Sequence, residues 1–150
     1  MIRLVDALAD PAAARAAALD EFRSGGLVVL PTETVYGLAV LPSGPRAVDA
    51  MFRRKGRSDD RPVAVLVADV DQARTVVEPG PAFELLAAAF WPGPLTVVTT
   101  RGVGFSARLG GDQATVGVRC PDHELVRALA AEVGPLAVTS ANRSGQPTKA

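Results

Sequence analysis

The stretch "RRKGRSDDR" sets five cations (Arg53, Arg54, Lys55, Arg57 and Arg61) around Gly56, beside Asp59 and Asp60. Arginine offers a planar fork to phosphate or carboxylate and lysine a compact point charge, so the pattern suits an anionic ligand. It also reads as a solvated helix end whose cations complement the helix dipole, and both readings stay open on this stretch alone. Thr139, Ser140 and Asn142 in "TSANRSG" follow an apolar run. Small hydroxyls and amides there can hydrogen-bond a substrate or close an Asx or Ser/Thr turn. Thr32, Glu33, Thr34 and Tyr36 in "PTETVYGL" follow another apolar run. Arg119 ends the run "ATVGVR", where a charge either faces water from an edge strand or is held by a partner or ligand.

Other chemistries find no footing. The chain has no Ser-His-Asp layout, no metal-ligand spacing, no G-x-G-x-x-G and no P-loop. Cys120 and His123 lie close in sequence, but His123 falls on the first turn of a helix, and a nucleophile needs a base and an orienting third group in space. Glu33, Asp59 and Asp60 are carboxylates that can touch a magnesium ion arriving with a nucleotide, yet they form no cage.

The elements that must position these groups alternate along the chain. Asp10 and Pro11 start a helix through "AAARAAALDEF", stopped by Gly25-Gly26. "LVVL" is a short buried strand. "PRAVDAMFRRKG" is a helix with Val48, Met51 and Phe52 on one face. "PVAVLVA" is a central strand, Asp69 to Val77 a short helix, and "PAFELLAAAF" a helix ended by the rigid turn "WPGPLT". Trp91 in that turn reads as packing rather than as a stacking platform. "LTVVTT" and "ATVGVR" are strands, Gly102 to Gly111 a loop, "HELVRALAAEVG" a helix and "PLAVTS" the last strand. Alternation of this kind predicts an α/β layer structure. In open sheets of that class ligands sit beyond the carboxyl ends of strands, so the polar groups are expected to gather there.

Composition bounds the rest. The 150 residues fit one domain with a real core, and 48% of them are hydrophobic. Lys+Arg and Asp+Glu both total 16, so net charge draws the chain toward neither nucleic acid nor anionic membrane. Fourteen of those cations are arginine, a compositional bias that makes any single arginine weak evidence. One cysteine permits no internal disulfide. With no long apolar segment and no signal-like N-terminus, the expected location is the cytoplasm.

The segments "PTETVYGL", "KGRSDDRPVAVLV", "WPGPLTVV", "VGVRCP" and "TSANRSG" occur in one order and spacing, and in this the chain resembles the YrdC-like family of threonylcarbamoyl-AMP synthases. The resemblance implies a single-domain α/β fold, a twisted mixed sheet with flanking helices and a concave basic pocket. It implies synthesis of threonylcarbamoyl-AMP and pyrophosphate from L-threonine, bicarbonate or CO2 and ATP, with Mg2+ accompanying ATP. The product would pass to the machinery that installs threonylcarbamoyladenosine at position 37 of tRNA, and contact with tRNA or double-stranded RNA is a further expectation.

Matched position by position, the resemblance implies catalytic and phosphate-facing roles for Lys55 and Arg57. It assigns nucleotide contacts to Arg61, Thr115, Ser140 and Asn142, and threonine or bicarbonate contacts to Thr32, Tyr36, Arg119 and Ser140. Both nucleophiles, the threonine amine and then the carbamate, come from substrates, so the protein need supply only alignment and positive charge. Where some relatives carry His or Lys after the "KGR" block, this chain has "VAVLV". The expected domain covers 1–150 and lacks the C-terminal segment usual in the family. That departure keeps two alternatives in view: a non-catalytic RNA- or nucleotide-binding paralogue, and a carbamoyltransferase paralogue that uses carbamoyl-adenylate.

Overall fold

The structure, a computed structural model, describes residues 1–56 and 61–147. Asp10 opens helix α1 (Pro11–Arg23) as read, its carboxylate accepting from the Ala13 amide at 2.9 Å. Strand β1 (Val28–Leu30) follows. Next comes β2 (Gly37–Val40), for which the sequence reading has no strand. Helix α2 (Pro45–Lys55), strand β3 (Ala64–Leu66), helix α3 (Val70–Ala73) and helix α4 (Pro81–Phe90) come next. Strands β4 (Val97–Thr100) and β5 (Thr115–Arg119), helix α5 (Glu124–Val133) and strand β6 (Leu136–Ser140) complete the order.

The six strands of the described residues form one sheet in the order β1-β2-β6-β3-β5-β4. Only β3 and β5 run parallel; the other four pairings are antiparallel. The mixed sheet was expected, but it removes the premise that the site lies at the carboxyl ends of strands. Because β6 is antiparallel to β3, Ser140 at the carboxyl end of β6 lies toward the amino end of β3. Register carries this across the sheet: Ala64 pairs with Val138, and Val65 with Val118. Ser140, Pro62 and Thr115 therefore stand level at one end, while Arg119, paired with Leu66, stands at the other.

Side chains alternate between the faces. One face carries Val40, Val65, Val116, Val118 and Ala137, packed against Met51 and Phe52 of α2 and Phe83 and Ala87 of α4. The second carries Leu30, Ala39, Leu66, Leu136 and Val138, packed under Leu19 and Phe22 of α1 and Val126 and Leu129 of α5. No residue of β4 or β5 joins that second core. Register puts Val98, Thr100, Thr115, Gly117 and Arg119 on the same second face. Among the described residues no helix covers them, and Val98 is 69% exposed. Among the described residues two helices thus cover half of this face and leave the other half open. No helix of the described residues is long and apolar enough to cross a membrane.

Candidate functional site

Lys55 is on the buried face of α2 because it continues the spacing of Val48, Met51 and Phe52. Gly56 ends the helix in the left-handed region at φ 64, a conformation that favours glycine, and its amide returns to the Arg53 and Phe52 carbonyls. That cap role accounts for the glycine among the cations. Lys55 is only 6% exposed. Its ammonium donates to the Ser140 carbonyl at 2.5 Å and Oγ at 3.0 Å, and to the Asn142 carbonyl at 2.6 Å and Oδ1 at 2.9 Å. Ser140 Oγ in turn donates to Asn142 Oδ1, and Asn142 Nδ2 donates to the Gln146 and Arg143 carbonyls. The Ser144 amide donates to the Lys55 carbonyl at 3.2 Å. The expected residues Lys55, Ser140 and Asn142 therefore meet in one polar network, in which a buried cation satisfies an otherwise acceptor-rich turn. Arg53 and Arg54 are exposed in the last helical turn, as the dipole reading has it. Arg57 lies outside the described residues. Arg61 is exposed just before β3, at the Ser140 end of the sheet.

Arg119 forms the second pole. Its side chain is 12% exposed on the open half-face. Nε donates to the Gly93 carbonyl at 3.0 Å, Nη1 to Thr34 Oγ1 at 3.1 Å, and Nη2 pairs with the Glu33 carboxylate. Burial lowers its pKa from the ordinary value, but a guanidinium stays charged in proteins. The "WPGPLT" turn brings the Gly93 carbonyl there. The Gly93 amide donates to the Cys120 carbonyl at 2.8 Å, and Trp91 Nε1 closes the turn on the Leu95 carbonyl at 2.8 Å. Trp91 packs edge-on against Phe83 with centroids 5.6 Å apart, the packing role expected of it.

The loop 31–36 brings Glu33 and Thr34 to Arg119. Thr32 Oγ1 accepts from the Thr34 and Val35 amides at 3.2 and 3.1 Å and donates to the Val35 carbonyl at 2.6 Å. The hydroxyl expected to face threonine thus also shapes the turn that carries Glu33. Tyr36 is 63% exposed, and its carbonyl accepts from the Ala141 amide at 2.8 Å, so the loop returns beside Ser140. Gly37 is next because its pairing with Ser140 points it at Val138: an added Cβ would lie 2.5 Å from Val138 Cγ1. Thr115 stands at the far end of β5 from Arg119, on the same face and about 13 Å along the strand.

Glu33 is the site residue that sequence reasoning left without a partner. Its signal was present in the need of Arg119 for a counter-charge, but which carboxylate met it depended on the loop crossing the sheet face. Cys120 is buried and its thiol donates to the Ala68 carbonyl at 3.4 Å, with burial raising its pKa; this is a packed thiol rather than an activated one. Among the described residues no three His, Cys, Asp or Glu side chains cluster as a metal site.

The family model described as "Telomere recombination", Sua5/YciO/YrdC, matches residues 20–150. The chain belongs to the Sua5/YciO/YrdC family. Within this family it is 41% identical over 142 residues to the Bacillus subtilis protein named threonylcarbamoyl-AMP synthase, covering 93% of this chain and 40% of that protein. It is 43% identical over 135 residues to the human protein of the same name, covering 87% of this chain and 47% of that one. The crystal structure of P. abyssi Sua5 complexed with L-threonine superposes with a TM-score of 0.82 at 39% identity, over 89% of this chain and 40% of that one. The chain thus spans less than half the length of these three Sua5/YciO/YrdC relatives.

Proposed function

We propose that this chain carries the adenylate-forming chemistry for which its relatives are named. L-threonine, bicarbonate and ATP give threonylcarbamoyl-AMP, pyrophosphate and water. The observation carrying this reading is the 41% identity across 93% of the chain to a protein named threonylcarbamoyl-AMP synthase. The geometry agrees with it. The open half-face has a guanidinium at one end, suited to a bidentate carboxylate. Toward the other end of the sheet Lys55, Ser140 and Asn142 bring cationic, hydroxyl and amide groups together, and in this reading a phosphate exchanges for bonds they make to one another.

In this reading Arg119, with Thr32 and Tyr36 of the loop beside it, holds threonine, and Ser140 stands on the nucleotide side. The threonine amine attacks CO2 or bicarbonate, and the carbamate oxygen then attacks the α-phosphorus as pyrophosphate leaves. Lys55 and Arg57 stabilise the developing charge, and Arg61, Thr115, Ser140 and Asn142 orient the nucleotide. Mg2+ enters on ATP, as part of the substrate. The product then serves tRNA modification in the cytoplasm, where the transfer to adenosine belongs to other proteins.

The test is pyrophosphate release from the 150-residue chain with MgATP. Release that requires both threonine and bicarbonate is expected. Release that ignores either one overturns the reading.

A further inference from the structure

We infer that Glu33 sets the affinity of the site by competing with the substrate carboxylate for Arg119. This rests on the reading above, in which Arg119 receives the α-carboxylate of threonine. The Glu33 carboxylate already pairs with Nη2, Thr34 Oγ1 accepts from Nη1, and the Gly93 carbonyl accepts from Nε. Both carboxylate forks of a guanidinium, Nε/Nη2 and Nη1/Nη2, include Nη2, so a second carboxylate entering bidentately meets the nitrogen that Glu33 holds, and the like charge of Glu33 opposes it.

The pair is built to exchange. Residues 33 to 36 lie at the surface, with the Glu33 side chain 24% exposed against Arg119, and the turn that carries them is closed by Thr32 Oγ1 through bonds within the loop. Loss of the Arg119 contact therefore does not unmake the turn. Gly93, in contrast, is fixed by its own amide on the Cys120 carbonyl, so Arg119 keeps its anchor while Glu33 leaves. Substitution of one carboxylate for another leaves Arg119 paired throughout and avoids an uncompensated half-buried charge. Substrate affinity is then reduced by the fraction of molecules in which Glu33 occupies Arg119.

The experiment is calorimetric titration of L-threonine into the wild-type chain and into Glu33→Gln and Glu33→Ser, the second guarding against a fold defect in the first. Competition predicts binding about 3- to 30-fold tighter in both variants. The gain persists for N-acetyl-L-threonine, which keeps the carboxylate and lacks the ammonium, and disappears for L-threoninamide, which lacks the carboxylate. Equal or weaker threonine binding in both variants, with wild-type binding intact, overturns the competition and leaves the threonine site standing. A gain that extends to threoninamide overturns it as well. If neither wild type nor variants bind threonine, the threonine reading itself falls and the competition falls with it.

Discussion

The ammonium of Lys55, the last residue of α2, donates to both the backbone and the side-chain carbonyl of Asn142, 87 residues further along the chain, at 2.6 and 2.9 Å. This relation gives Lys55 a structural role beside the chemical one proposed for it. A substitution there removes a buried charge and also leaves the partly buried oxygens of Ser140 and Asn142 without their donor.

Lys55→Met is expected to destabilise the chain by about 2–3 kcal/mol, because the Ser140 and Asn142 oxygens lose a charged donor. Chemical denaturation measures it. The fold is therefore not indifferent to this position, as a cation reaching only toward phosphate would allow. An unchanged midpoint would show that the network holds without Lys55.

Arg119→Ala is expected to weaken threonine binding by about 10- to 100-fold, the loss that follows truncation of a buried charge partner. It also leaves Glu33 beside an empty position, so Arg119→Ala combined with Glu33→Gln should be less destabilised than the two single effects added together. Calorimetry gives the first quantity and denaturation of the double-mutant cycle the second.

Gly37→Ala is expected to cost about 1–3 kcal/mol, since the new methyl would lie 2.5 Å from Val138 Cγ1, a β-branched side chain with little room to turn. Adding Val138→Ala should recover part of that loss. Two penalties that simply add would place the strain elsewhere.

Glu132 accepts from Arg15 at 2.9 Å and Arg23 at 2.8 Å, tying α5 to α1. Hydrogen bonding to Arg15 leads the causes that hold its carboxyl below the usual range. A folded-state pKa below the unfolded one gives stability that is present above the unfolded value, about 4.3, and is lost as pH falls from there through the folded one. The melting temperature of Glu132→Gln should lie below wild type at pH 7, with the gap closing on acidification through that window. Added salt should shrink the gap at pH 7, because all three side chains are partly exposed. A gap that stays constant down to pH 3 would remove the carboxylate from the explanation.

Local signals carried much of the fold. Asp10 and Pro11 fixed the start of α1, Gly56 the end of α2, and runs of β-branched residues marked β3, β4 and β5. β2 escaped because it is four residues long, begins at a glycine and directly follows the polar loop, so no alternation develops. The burial of Lys55 was legible in principle, since it repeats the spacing of Val48, Met51 and Phe52. A charged residue at the end of a helix nevertheless reads first as solvated.

Residue types and motif order determined the family of this chain and the kinds of group it can offer an anion: cations, hydroxyls and amides. Tertiary structure alone decided where those groups stand. An antiparallel β6 sends Ser140 to one end of the sheet and a parallel β5 sends Arg119 to the other, while the loop 31–36 delivers Glu33 across the open half-face. Strand direction and pairing depend on contacts between residues distant in sequence, so no local pattern could specify that Arg119 would find its counter-charge in Glu33.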